Sequence, residues 1–152
     1  MDSMPSSIIG GLIGGIIGSV LAWYLNRRSA MNDARRTVLT DVHSHLEYFR
    51  IIYAQWYTEY INTGWVKEPT GTPDRAYLNM MQSIDEARGR LRTDRVIVSA
   101  LLPKSKSGQV DKCIWQVLQL SSPELTHKPA ELDAVAQECG VVVKKLLPKY
   151  AK

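Results

Sequence analysis

The chain is poor in the residues that carry most protein chemistry, with two cysteines, three histidines and one phenylalanine in 152 residues. Cys113 and Cys139 have no CxxC or Cys/His spacing, which excludes a redox motif or a metal set read from sequence. Both fall at apolar positions of predicted helices and read as reduced, buried thiols of a cytosolic compartment. No GxxxxGK(S/T), GxGxxG, HExxH or GxSxG string occurs, so phosphate-cradling loops and standard hydrolase motifs are missing. The chain therefore reads as a non-enzyme with no cofactor and no identifiable small-molecule substrate. Internal repeats are absent, which excludes a solenoid. Basic residues are neither gathered on one face nor interleaved with aromatics, so no nucleic acid is expected as a partner.

What is present is unevenly distributed. The length suits one ordinary domain, and 45% apolar with 22% charged residues fits neither a disordered polyelectrolyte nor a polytopic membrane protein. Residues 8–25 nevertheless contain no charge and run up to Asn26, Arg27 and Arg28. As a helix this stretch would measure about 27 Å, close to the ~30 Å hydrocarbon core of a bilayer. Its nine Ile, Leu and Val residues favour insertion by roughly 3–5 kcal/mol, offset in part by five glycines. Trp23 and Tyr24 beside Arg27 and Arg28 form the expected interface anchors, with amphipathic rings and snorkelling cations at headgroup depth.

Cleavage after Val20-Leu21-Ala22, as in a signal peptide, is the competing reading, but Met1 to Ser7 carries no Lys or Arg. Of the formal net charge of +4, the ten residues after Asn26 hold +3 through Arg27, Arg28, Arg35 and Arg36 against Asp33. The positive-inside rule then places the N-terminus outside and the rest in the cytoplasm. The expected organisation is a short extracytoplasmic tail over 1–7, a transmembrane helix over 8–26 and a cytoplasmic bundle over 27–152 whose first helix continues from the span. The localisation is the cytoplasmic (inner) membrane of a bacterium, single-pass, with membrane lipid as one partner.

Within the run, IIGGLIGGIIGS places Gly10, Gly14 and Gly18 on one helical face and Gly11, Gly15 and Ser19 on the adjacent one. Small residues let helix backbones approach closely in lipid, where hydrophobic association is weak. The pattern resembles the glycine zipper of self-associating membrane helices, which implies a homo-oligomer or packing against another membrane protein. The competing account is that glycine is simply frequent in membrane helices.

Downstream, the fold class reads as all-α, an antiparallel bundle of about four helices. From Ser29 to about Asn62 no Pro or Gly intervenes, and Val38, Val42, Leu46, Phe49, Ile52 or Tyr53, Trp56 and Tyr60 recur at three-and-four spacing. GWVKEPTGTP at 64–73 reads as a loop, and Thr72-Pro73-Asp74 as the start of a second helix facing inward through Tyr77, Met80, Met81, Ile84, Ala87 and Leu91. RVIVSALL at 95–102 is β-branched but has no partner strand, so it reads as helix. PKSKSG at 103–108 reads as an exposed basic loop. A third helix over about 109–120 turns in Val110, Cys113, Ile114, Val117 and Leu118. The fourth starts near Pro129 and closes at Pro148, with Leu132, Val135, Ala136, Cys139, Val142, Val143 and Leu146 inward.

Three clusters remain. Asp41, His43, His45 and Glu47 form i, i+4 pairs (Asp41 with His45, His43 with Glu47) that point in different directions, His45 lying beside the apolar stripe and His43 facing away, and only His127 is left as a further histidine. The aromatics cluster between Tyr48 and Trp65; Tyr48 and Tyr57 fall off the main stripe and, with Trp65, form the expected partner face. Arg88, Arg90, Arg92 and Arg95 with Lys104 and Lys106 read as a solvated charge run. The leading functional reading is a membrane-anchored scaffold or adaptor that self-associates or docks a partner. Its rivals are an oligomeric membrane effector of toxin or phage-defence type that permeabilises the bilayer, and a metal-assisted hydrolase using Asp41, His43 and His45.

Overall fold

The computed structural model describes residues 6–61, 75–121 and 129–150, the side chains of 6–17 excepted. A chain without Pro or Gly from Ser29 to Asn62 has nothing to break a helix. Accordingly α1 runs unbroken from Ser6 to Trp56, 51 residues, or roughly 76 Å at 1.5 Å per residue. A π-helical turn, Tyr57–Ile61, ends it. Then follow α2 (Arg75–Leu101), α3 (Lys104–Leu120), α4 (Pro129–Leu146) and a closing 3-10 turn, Leu147–Tyr150. Among the described residues there is no strand. The 95–102 stretch is helix through Leu101, as expected, with Val98 and, just past the helix end, Leu102 buried. The Thr72-Pro73-Asp74 start signal and the 64–73 loop lie outside the described residues.

The helices form an antiparallel four-membered ring in which α1 and α3 each pack against α2 and α4. Along α1 and α2 the partners run in opposite sequence directions: Arg35 meets Leu101, His45 meets Asp94 and Tyr60 meets Tyr77. The same holds for α1 and α4, where His43 meets Gly140 and Arg50 meets Asp133. The core is built mostly from the predicted stripes, with Val42, Leu46, Phe49, Tyr53 and Trp56 of α1 against Ile84, Ala87 and Leu91 of α2 and their counterparts on α3 and α4; Leu39 is buried in place of the expected Val38, and Val38, Tyr60, Tyr77, Met80 and Met81 are only partly buried. No residue of α1 from Gly18 to Val38 is buried, and Gly18 to Arg28 are all exposed, with the end of the chain at Lys149 and Tyr150 coming near them.

The basic loop expected at 103–108 is instead the first turn and a half of α3. Pro103, at φ −57 and ψ 143, is the N-cap. Its carbonyl accepts from the Lys106 and Ser107 amides at 2.8 and 2.9 Å. Proline disfavours helix at the residue before it but supplies a suitable φ at a helix start, so one residue both ends α2 and launches α3. Ser107 is buried there and donates through Oγ to the Lys104 carbonyl at 3.3 Å.

One stability prediction arises from α2. A Cβ added at Gly89, mid-helix, would meet nothing within 4 Å. Gly89→Ala therefore removes the entropic cost of glycine without steric conflict and is expected to stabilise the bundle by about 0.5–1 kcal/mol. Urea unfolding checks it, and a lower midpoint would show that the backbone at Gly89 needs freedom the helix geometry does not suggest.

Candidate functional site

The apolar run lies on α1, which continues past Arg27 and Arg28 into the bundle without a break. Helical geometry aligns Gly10, Gly14 and Gly18 on one face and Gly11, Gly15 and Ser19 on the next. Gly18 and Ser19 are exposed, and nothing lies within 4 Å of a Cβ at Gly18. Positions 10 to 15 carry no described side-chain surroundings. Among the described residues no helix is long and apolar enough to cross a membrane, so the spanning helix expected over 8–26 is not among the observed features; residues 8–17, the first part of the run, lie outside the described side chains. What is observed is its C-terminal end, where Val20, Leu21, Trp23, Tyr24 and Leu25 are each 52–60% exposed and the bundle covers none of them. The Arg27 guanidinium lies 5.3 Å above the Trp23 ring, joining two of the four expected interface anchors through a cation–π contact.

The expected partner face divides. Tyr48 is exposed, with Arg90 of α2 6.0 Å from its ring centre. Tyr57 is half-buried and packs on the core with Tyr60 and Ile61. Tyr57 follows the buried Tyr53 by four residues, so an α-helical count taken from Tyr53 already sets it beside the core. Trp65 lies outside the described residues.

The polar cluster on α1 reaches across the bundle instead of along the helix. His45 pairs through Nδ1 with Asp94 Oδ2 of α2 at 2.7 Å, and the Asp94 side chain is only 7% exposed. Burial pushes the Asp94 carboxyl above its ordinary range, with the His45 hydrogen bond pulling it part of the way back. His43, expected to face away, is half-buried against Gly140 of α4, and its buried Nδ1 has no hydrogen-bond partner among the described residues. Glu47 pairs with Arg50 at 3.5 Å, and Arg50 reaches Asp133 of α4 at 3.1 Å. Among the described residues no three His, Cys, Asp or Glu side chains gather as a metal set; His127 lies outside them.

Two further groupings have partners that spacing along the chain does not give. Cys113 of α3 and Cys139 of α4, both free, are hydrogen-bonded to each other. That bond, with burial, pushes the Cys139 thiol up, and the same bond draws Cys113 down to about 7. The arginine run resolves into separate contacts. Arg95 makes a two-pronged bond to Asp111 of α3 at 2.7 and 3.2 Å, Arg90 covers Tyr48, and Arg88 lies 3.9 Å from Asp85. No known family model matches the chain, and no curated protein or solved structure proves similar to it.

Proposed function

We propose that the chain is a membrane-anchored helical scaffold. The apolar run, 8–26, crosses the cytoplasmic membrane with its N-terminus outside. Its glycine ridges pack against a second copy or another membrane protein, and the bundle presents a docking surface that includes Tyr48. The observation that carries this reading is the continuity of α1. One helix joins the charge-free run to the bundle core, and the described large apolar residues on it ahead of the arginines, Val20 to Leu25, are more than half exposed. Large apolar side chains exposed all around one helix are costly in water and favourable in lipid. The arginines that follow suit the cytoplasmic headgroup layer.

Full-length protein expressed at low level tests the reading. It is expected to stay in the membrane pellet after alkaline carbonate, and a C-terminal reporter should be active on the cytoplasmic side only. Release by carbonate would overturn the anchor, and a reporter active only outside would overturn the topology. In mild detergent, Gly14→Leu should weaken self-association about tenfold by light scattering if the ridges join copies of the chain. An unchanged mass would remove the glycines from contacts between copies and leave another membrane protein as their partner.

A further inference from the structure

Where α1 leaves the apolar run, the C-terminal end of α4 returns to it. Together they enclose a cleft of about 430 Å³ lined by Tyr24, Arg27, Arg28 and Arg35 of α1 with Lys149 and Tyr150 of the closing 3-10 turn. We propose that this cleft binds the phosphate headgroup of an anionic phospholipid. The site rests on the membrane reading above, because that reading sets the depth of the cleft relative to the bilayer.

Charge complementarity is the first support. Four cations converge on one cleft and no carboxylate is among its described lining residues. Cations gathered around one cleft favour an anion between them. Lys149 is the telling member. It is more than a hundred residues beyond the interface arginines in sequence, and the fold alone brings it to them.

Preorganisation is the second. Arg35 Nε donates to the Leu101 carbonyl at 2.8 Å, and its guanidinium stacks 5.6 Å from the centre of the buried Tyr150 ring. An arginine oriented from two sides gives the inner wall of the cleft a fixed positive charge behind Arg27 and Arg28, which stand at phosphate depth. The volume lies within the range of small-ligand pockets.

Depth decides the source of the phosphate. Arg28 lies about 5 Å along the helix axis beyond Leu25, inside the ~5–8 Å headgroup layer of one leaflet. Arg35 lies about 15 Å beyond Leu25 and forms the cytoplasmic side of the cleft. The mouth thus sits where lipid phosphates are concentrated, and basic pockets at that depth select anionic headgroups.

The test uses full-length protein in dodecyl maltoside, titrated with dioctanoyl phosphatidylglycerol, dioctanoyl phosphatidylcholine or inorganic phosphate while thermal unfolding is followed. Phosphatidylglycerol is expected to raise the midpoint saturably, with the zwitterionic lipid at least about fivefold weaker. Lys149→Gln and Arg28→Gln should each raise the dissociation constant about fivefold, whereas Lys145→Gln, an exposed lysine outside the cleft, should leave it unchanged. Equal binding of the two lipids, or a Lys149→Gln variant that binds like wild type, overturns the cleft. An equal shift by inorganic phosphate at the same concentrations, with the same dependence on Lys149, overturns the lipid as its source. Carbonate extraction separates the two ideas: release of the protein removes the anchor, while a retained protein with no Lys149 effect removes the cleft alone.

Discussion

Phe49→Ala is expected to cost the bundle about 3–5 kcal/mol, the usual range for deleting a fully buried ring. Phe49 is the only phenylalanine of the chain and is 0% exposed. Its ring lies 6.0 Å from that of Tyr53, which in turn lies 5.5 Å from Trp56. The loss therefore removes the anchor of an aromatic row as well as its own buried area. Small domains are stable by only about 5–15 kcal/mol, so this change should lower the unfolding midpoint by roughly 10 °C or more. Denaturant unfolding of the full-length protein, followed by far-ultraviolet circular dichroism, measures it. The same variant should still partition to membranes, because Phe49 lies about 36 Å along the helix from Leu25. A cost below about 1 kcal/mol would show that the site collapses around the gap and that the core is not organised on this ring.

The elements of the bundle were legible because each helix carries its own apolar stripe. Val42, Leu46, Phe49 and Trp56, or Leu132, Ala136, Cys139 and Val143, mark a buried face by spacing alone. What such spacing leaves open is which face meets which. His45 looked inward from α1, yet its partner is Asp94, 49 residues away. A usable signal existed on α2, since Asp94 sits three residues after Leu91 and four before Val98 on the core face, where an unpaired carboxylate would be too costly to bury. Cys113 and Cys139 were each placed inward, but their meeting depends on the rotation of α3 against α4. Lys149 and Tyr150 gave no local signal for the basic cleft, because only the antiparallel return of α4 carries them to Arg35. PKSKSG was misread for a different reason: its composition suits a loop, whereas Pro103 and a burial site for Ser107 make it a helix start. The expected span is the element least constrained by bundle packing, because its described large apolar residues, Val20 to Leu25, are all more than half exposed.

The His45–Asp94 pair carries the second large effect and bears on whether the α1 histidines serve structure or chemistry. His45→Ala would leave a carboxylate that is 7% exposed without its partner, and breaking a buried pair from one side costs about 3 kcal/mol. Burial already raises the Asp94 carboxyl above its ordinary value, and His45 is the group that pulls it back. In the variant the folded chain therefore holds the Asp94 proton more tightly than the unfolded chain does. Stability contributed by that proton is present in full below the ordinary carboxylate value of about 4 and is lost as pH rises through the higher folded value. His45→Ala should accordingly lose more stability than wild type as pH is raised from about 4 to 7, and recover part of its deficit on acidification. The double variant His45→Leu with Asp94→Leu should return to near wild-type stability, since two apolar side chains replace the pair without leaving an unpaired charge. Urea unfolding at several pH values, with membrane retention measured beside it, follows both. Stability unchanged by His45→Ala at every pH would mean that Asp94 is compensated by another group, and the pair would then lose its place as the polar clamp between α1 and α2.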